Sequence, residues 1–119
     1  MKKAIILLGH GSKAESGNRP LIEMAGMVEA ISGERVIPAF LQLANPSLAE
    51  VIEDAAQKGA TKIVVVPFFL YSGNHVSKDI PDELELLREK YQGIEIVMAR
   101  HLDNHPKLAD IVLERINEI

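Results

Sequence analysis

The sequence has no cysteine and no tryptophan, and aromatic residues make up only 4% of it. Without cysteine there can be no disulfide framework, no thiolate metal site and no cysteine nucleophile. A nucleic-acid binder would normally carry a basic stripe with stacking aromatic side chains, but this chain has a formal net charge of -4. No apolar run is long enough for a membrane helix, and the run at 4–8 is too short for a signal peptide. We therefore expect a cytoplasmic protein that binds neither nucleic acid nor membrane.

The composition is that of one globular domain. The 119 residues are 47% hydrophobic and 25% charged, which is close to the average of globular proteins. A chain of this length can bury about two thirds of its unfolded surface around a single core. The sequence contains no linker and no low-complexity tract, so we expect residues 1–119 to form a single domain.

Four apolar runs predict four β-strands, at 3–8, 35–40, 61–68 and 94–99. Each run is followed by apolar residues at helical spacing, and β-then-α units in series predict a parallel sheet with helices on both faces. The first and third runs are the most apolar and should be neighbours, with the third in the centre of the sheet. Pro38 cannot donate a ladder hydrogen bond, which favours an edge or a strand end for the second run. The predicted fold class is α/β, a three-layer αβα sandwich around a four-stranded parallel sheet.

Capping residues suggest where the helices begin. Asn45-Pro46 predicts an N-cap followed by the first helical residue, and Asp79 predicts the N-cap of the third helix after a loop over 69–78. The last helix is expected to place its apolar face against the core, although its apolar end at Ile119 also favours a partner that covers part of it. That apolar face consists of Leu108, Ile111, Val112, Ile116 and Ile119.

Two histidines follow the two most apolar strands. His10 lies in Gly9-His10-Gly11-Ser12, and His75 ends the segment Ser72-Gly73-Asn74-His75. Ligands of parallel sheets bind beyond the carboxyl ends of the strands, so we expect both imidazoles at one rim, within reach of one ligand. Imidazole binds divalent cobalt, nickel, zinc and iron, and it accepts protons near neutral pH. The alternative is that each histidine is a loop residue with a satisfied hydrogen bond.

Other motifs indicate chemistry less specifically. His101 and His105 are four residues apart, but the adjacent Pro106 favours a surface or capping role over metal binding. The Gly9–Lys13 loop could cradle a phosphate, yet it lacks the third glycine of a dinucleotide fingerprint and the Gly-Lys-Thr/Ser end of a nucleotide loop. Ser12 does not lie in a Gly-x-Ser-x-Gly elbow, which argues against a hydrolase triad. A phosphate-ester binding domain is therefore a minor hypothesis.

Three motifs follow successive predicted strands. They are Gly-His-Gly-Ser at 9–12, Ala-Phe-Leu-x-Leu-Ala-x-Pro-Ser at 39–47, and a long segment at 64–81 that contains Val-Val-Pro-Phe-Phe-Leu-x-x-Gly-x-His. Together with Arg-His-Leu-Asp-Asn-His-Pro at 100–106, they resemble the class II tetrapyrrole chelatases over nearly the whole chain, and in particular the small single-domain sirohydrochlorin cobaltochelatases. The resemblance implies a flavodoxin-like, chelatase-like half-domain. It also implies an enzyme that inserts a divalent metal into a porphyrin-like macrocycle without ATP or an organic cofactor.

The resemblance further implies site residues and partners. The two family histidines map onto His10 and His75, as metal ligands and as acceptors of the pyrrole protons. Longer relatives form the cleft between two such half-domains, so a homodimer is implied here. Sirohydrochlorin is the implied macrocycle and cobalt the first metal expected, with nickel or iron as alternatives. Many relatives carry a glutamate where this chain has Gln42, so a carboxylate is missing there. The expected substrate-binding residues are Gly11, Ser12, Lys13, Gln42, Leu70, Tyr71, Ser72, Gly73 and Lys78.

The charge of the implied substrate makes a further demand on the site. Sirohydrochlorin is a polycarboxylate, so a chain of negative net charge needs local cations at the cleft. Lys13, Arg19, Lys78 and Arg100 lie on the predicted rim or its flanks, and for each a solvated role is the alternative. The rival to an enzyme is a non-catalytic metal or tetrapyrrole carrier that uses the same two imidazoles.

Overall fold

One parallel sheet, flanked by helices, organises the described chain. The computed structural model describes residues 2–71 and 73–119, with His75 described in its backbone only. The strands are β1 Lys3–Gly9, β2 Val36–Phe40, β3 Lys62–Pro67 and β4 Glu95–Met98. The α-helices are α1 Glu15–Ser32, α2 Leu48–Gln57, α3 Ile80–Lys90 and α4 Pro106–Asn117.

The strand order β2-β1-β3-β4, parallel throughout, confirms the α/β prediction. β1 and β3 are neighbours in the centre of the sheet, paired from Lys3 opposite Lys62 to Leu8 opposite Pro67. β2 is an edge strand, as the missing N–H of Pro38 predicted. The carboxyl ends of all four strands therefore lie along one edge of the sheet, where the predicted site residues follow them.

The two faces of the sheet carry separate apolar layers, because successive side chains of a strand point to opposite faces. On the α2/α3 face, which those two helices cover, Ile6 and Ile63 are fully buried. On the other side, the α1 face, the cluster lies mainly over β1 and β2. Its buried members are Leu7, Leu21, Ala25, Val36 and Phe40.

The start of α2 differs from the prediction. The helix begins at Leu48, and its N-cap is Ser47 rather than Asn45. The Ser47 hydroxyl accepts a hydrogen bond from the Glu50 N–H at 3.2 Å, while the Glu50 carboxylate accepts one from the Ser47 N–H at 2.8 Å. This capping box satisfies two backbone N–H groups that have no partner within the helix. The helix therefore begins after Ser47, and the Asn45-Pro46 pair lies before its start.

The connection before α3 also differs from the prediction of a loop. The predicted loop over 69–78 contains a π-helical turn, His75–Asp79, which runs directly into α3 at Ile80. Asp79 has helical backbone angles, φ -65° and ψ -42°, rather than the extended conformation typical of an N-cap. The apolar face of α3 packs on the core, since Ile80, Leu84 and Leu87 are all buried.

The prediction that α4 packs on its own core is wrong. The helix contains no buried residue, and Ile111, Val112 and Ile116 are 44%, 57% and 59% exposed. Helical periodicity indicates an apolar face but not which chain that face packs against, and here it lies open. The molecule is accordingly elongated, measuring 51 × 32 × 28 Å. Within the described ranges, no helix combines the length and apolar character that a membrane span requires.

Candidate functional site

Hydrogen bonds join the segments after β1 and β2. The Leu41 N–H donates to the Gly9 carbonyl at 2.9 Å, and the Gln42 N–H donates to the His10 carbonyl at 3.1 Å. Gly11 follows with a φ of +95°, and a Cβ there would collide with the Gln42 carbonyl oxygen. Two features therefore require glycine at position 11: the left-handed backbone, and the close approach of the Gln42 carbonyl oxygen. His10 and Gln42 are held side by side, both exposed at the carboxyl edge.

The segments after β3 and β4 join the same edge. The Phe68 N–H donates to the Leu8 carbonyl at 2.8 Å, and the Leu102 N–H donates to the Phe69 carbonyl at 2.9 Å. Phe69 is buried, and its ring meets the His10 imidazole edge-on, with centroids 4.4 Å apart and planes at 63°. Phe69 therefore forms a fixed wall against which His10 rests.

A cleft of about 410 Å³ opens beside this ring pair. Its lining is mostly apolar and aromatic, and Leu70 and Tyr71 are 46% and 83% exposed. The apolar wall suits a flat bound molecule. The exposed imidazole beside it could coordinate a metal ion, or accept a proton, at the centre of that molecule. The lining residues are His10, Phe68, Phe69, Leu70, Tyr71, Gly73 and Val76.

His75 belongs to the segment that lines this cleft. Its backbone begins the π-helical turn between Gly73 and Val76, both of which are lining residues. The side chain of His75 and the whole of Ser72 lie outside the described residues. Among the residues that are described, no three metal-ligating side chains form a cluster. That His10 and His75 share one metal therefore stays a prediction, while their segments do meet at one edge, after neighbouring strands.

The β1–α1 loop is held by Asn18, a residue that the sequence reasoning missed. The Ser12 N–H donates to Asn18 Oδ1 at 2.8 Å, and Asn18 Nδ2 donates to the Ser12 carbonyl at 2.9 Å. The Ser12 hydroxyl accepts from the Ala14 N–H at 3.2 Å, and Lys13 is exposed. The sequence did contain a signal for this role, because Asn18 carries a side-chain amide in the first turn of the helix that follows a glycine-rich loop.

The turn after the cleft is fixed by its own hydrogen bonds. The Ser77 N–H and hydroxyl both donate to the Gly73 carbonyl, at 2.9 and 2.8 Å. Lys78 Nζ donates to the Asp82 carboxylate at 2.8 Å on the exposed helix surface. That hydrogen bond is the main reason why the pKa of Lys78 is raised, so Lys78 stays charged. An anionic ligand would have to draw Lys78 away from this exposed pair, which is energetically weak.

The remaining basic and histidine candidates are dispersed. Arg19 lines a different depression, beside α1, and Arg100 is exposed just after β4. His105 is the N-cap of α4 and accepts a hydrogen bond from the Lys107 N–H on Nδ1 at 3.1 Å, which is one of the two roles, surface or capping, expected for it. His101 is half-buried in the connection before it. Arg19 and Arg100 add positive charge around the carboxyl edge, and none of these four residues lines the His10 cleft.

The structure is an α/β domain with an apolar cleft beyond the carboxyl ends of its strands. Residues 4–119 match the profile of the CbiX family. A sirohydrochlorin cobaltochelatase of Methanococcoides burtonii is 34% identical over 99% of this chain and 97% of its own length. The chain belongs to the CbiX family.

Two further comparisons involve longer proteins. A chloroplastic sirohydrochlorin ferrochelatase of Arabidopsis thaliana is 34% identical, over 94% of this chain and 50% of its own length. The crystal structure of the sirohydrochlorin chelatase SirB from Bacillus subtilis subspecies spizizenii, in complex with cobalt, superposes with a TM-score of 0.93 at 28% identity. That match covers 100% of this chain and 51% of the SirB chain. This chain therefore spans about half the length of these two relatives and nearly all of the archaeal one.

Proposed function

We propose that this protein inserts a divalent metal ion into sirohydrochlorin without ATP. The observation that carries the proposal is the His10 imidazole, seated on the edge of Phe69 in an apolar cleft at the carboxyl edge of a CbiX-family sheet. The names of two relatives support sirohydrochlorin as the substrate. One is a sirohydrochlorin cobaltochelatase, and the other is a sirohydrochlorin ferrochelatase. Residues 1–119 are proposed to form one domain, and its cytoplasmic location stays an expectation from the sequence.

In the proposed mechanism, His10 and His75 bind the incoming metal by displacing part of its water shell. Two protein ligands leave most coordination positions open, so the ring nitrogens can replace the imidazoles one after another. Insertion exchanges one divalent cation for two pyrrole N–H protons. The imidazoles released from the metal accept these protons and pass them to water, which is general-base catalysis. Both charge and protons therefore balance without a nucleotide.

The macrocycle would lie against the apolar wall of the cleft. Leu70 and Tyr71 would present apolar surface to the ring, the open space at Gly73 would let the ring approach the backbone, and Gly11 would contact it through backbone atoms. The polar edge of the ring would meet side chains and backbone N–H groups around the cleft. The residues proposed to bind this edge are Ser12, Lys13, Gln42, Ser72 and Lys78.

Cobalt is the first metal we propose, with iron and nickel as alternatives. The archaeal relative that matches end to end is a cobaltochelatase, whereas the plant relative is a ferrochelatase. Imidazole ligands bind these divalent ions in a shared order of affinity, so supply can decide between them. Gln42 has no carboxylate charge beside His10, which favours slower metal loading than a glutamate would give. We also propose that two copies of the chain form the cleft as a homodimer.

Turnover separates this proposal from a carrier that only binds. Purified protein is mixed with sirohydrochlorin and cobalt(II), iron(II) or nickel(II), and the absorption spectrum of the macrocycle is followed. A chelatase converts many equivalents of macrocycle and loses this activity in His10→Ala and in His75→Ala. The control is His105→Asn, which removes an imidazole but keeps a side chain that can cap α4. Binding without turnover would instead identify a carrier, and phosphate affinity that survives His75→Ala would favour the phosphate-ester hypothesis.

A further inference from the structure

Leu43 has a backbone conformation that leucine rarely adopts. Its φ of +65° lies in the left-handed region, where glycine, asparagine and aspartate are the usual residues because most side chains crowd the backbone there. Packing against the core could compensate for this strain, but the Leu43 side chain is 56% exposed. The chain therefore holds an exposed leucine in a strained conformation, and such an outlier indicates a role outside the fold itself.

The segment around Leu43 is anchored on both sides. The Gln42 N–H donates to the His10 carbonyl at 3.1 Å, which ties the residue before Leu43 to the candidate site. Leu41 packs against the buried cluster of the α2/α3 face, and Ala44 packs against the cluster of the α1 face. Leu43 thus lies between anchored neighbours, while its own side chain faces solvent at the carboxyl edge.

The strand order places Leu43 and the apolar wall of the cleft on opposite sides of His10. β1, which leads to His10, lies between β2 and β3 in the sheet. Leu43 follows β2, whereas Leu70 and Tyr71 follow β3, and all three side chains are exposed. Exposed apolar side chains therefore flank the His10 imidazole on both sides along the carboxyl edge.

Building on the proposed function, we propose that Leu43 binds the apolar face of the macrocycle on the side of His10 that lies away from Leu70 and Tyr71. A flat ring whose central nitrogens face the imidazole extends along the edge in both directions. Leu70 and Tyr71 lie under one half of such a ring, and Leu43 supplies an apolar contact for the other half. The ligand of Leu43 is thus the conjugated ring itself rather than the carboxylates at its border.

The strain at Leu43 distinguishes this role from a structural one. Asparagine would suit the backbone better, but it would present a polar amide to the face of the ring. The apolar surface between leucine and ring leaves water only when the macrocycle is bound, so its stabilising effect is confined to the complex. Replacing Leu43 should therefore change the stability of the free protein and its affinity for the macrocycle in opposite directions.

The test compares Leu43→Asn with a matched control on α3. Because asparagine tolerates the left-handed conformation, Leu43→Asn should unfold at a higher urea concentration than wild type. It should nevertheless bind metal-free sirohydrochlorin at least about fivefold more weakly in a spectroscopic titration, because the apolar contact is lost. Leu86→Asn removes another exposed leucine, and it should unfold at a slightly lower urea concentration while binding sirohydrochlorin as wild type does.

Two further measurements assign the effect to the contact with the ring. Leu43→Met keeps an apolar side chain on the strained backbone, so it should recover most of the affinity without the gain in the urea midpoint. In steady-state assays with cobalt(II), Leu43→Asn should raise KM for sirohydrochlorin and change kcat by less than about twofold. His10→Ala, in contrast, should lower kcat, so the two residues have separate kinetic signatures.

The outcomes for Leu43 and for the proposed function can be told apart. If Leu43→Asn binds sirohydrochlorin as tightly as wild type, the role of Leu43 is overturned and the proposed metal insertion stands. A lower urea midpoint in Leu43→Asn would also overturn that role, because the leucine would then serve the fold. A wild-type protein that neither binds nor turns over sirohydrochlorin would overturn both the proposed function and the role of Leu43.

Discussion

The His10 imidazole and the Phe69 ring meet edge to face, with centroids 4.4 Å apart and planes at 63°. Phe69 is 7% exposed and belongs to the larger core, so a buried side chain fixes the position of an exposed one. The contact links the packing of the α2/α3 face to the chemistry at the carboxyl edge. It identifies Phe69 as a positioning residue for His10.

Replacing Phe69 should therefore affect both stability and rate, to different degrees. Phe69→Ala removes a buried ring, and we expect the free energy of unfolding to fall by about 3–5 kcal/mol. Phe69→Leu keeps much of the apolar volume but loses the aromatic edge, so it should destabilise the fold much less while still lowering kcat several-fold. Urea unfolding measures the change in the free energy of unfolding, and steady-state assays measure the change in kcat. A Phe69→Leu enzyme with the kcat of wild type would show that the ring contact does not position His10.

Gly11→Ala should disrupt the site through the backbone. The positive φ alone costs an alanine about 1–3 kcal/mol, and the added Cβ would also displace the Gln42 carbonyl. We expect lower stability together with loss of activity. Gly26→Ala is the control, because it lies inside α1 with open space around it and should stabilise the protein by about 0.5–1 kcal/mol. Thermal unfolding of the two variants should thus shift in opposite directions, and a shift in the same direction would contradict the geometry of Gly11.

The α2 capping box should make stability depend on pH. Ser47→Ala should cost about 1 kcal/mol at neutral pH. Hydrogen bonds from Ser47 lower the pKa of Glu50, so this carboxylate contributes stability above its ordinary pKa and loses that contribution as the pH falls. The stability difference between wild type and Glu50→Gln, which removes the carboxylate charge, should shrink between about pH 7 and about pH 3. Urea midpoints at several pH values measure it, and a difference independent of pH would exclude the Glu50 contribution.

Glu83 should have the opposite dependence on pH. Burial in the first turn of α3 raises the pKa of its carboxyl, so the folded state binds the proton more tightly than the unfolded state. Its contribution to stability is present below the ordinary glutamate pKa and is lost as the pH rises through the raised value. Glu83→Gln should therefore be more stable than wild type at neutral pH and similar to it near pH 4. Glu89→Gln, exposed on the same helix, is the control, and an equal gain there would contradict the burial effect.

Much of the fold could be predicted from the sequence because its signals are local. Apolar runs and helical spacing located the strands and helices, and Pro38 indicated the edge position of β2. Ser47 and Glu50 form a capping-box pattern in the sequence, but the neighbouring Asn45-Pro46 pair was the more conspicuous signal and shifted the predicted helix start. The π-helical turn at 75–79 has no comparable local signature.

The placement of α4 and the details of the site depend on contacts between distant residues. Amphipathic spacing revealed the apolar face of α4, but only the structure shows that no residue of this helix is buried against its own sheet. The topology brought His10 to the carboxyl edge as predicted. Its contact with Phe69, and the clamp of Asn18 on Ser12, depend on side-chain geometry that spacing alone cannot provide.

The most direct test of the central claim is the rate of metal insertion by His10→Ala relative to wild type. Both proteins are assayed with sirohydrochlorin and cobalt(II), after circular dichroism has shown equal folding. General-base catalysis and metal loading by the imidazole predict a fall in kcat of about a hundredfold or more. A His10→Ala enzyme that turns over at the wild-type rate would contradict the account, because the cleft would then insert metal without the residue around which it is built.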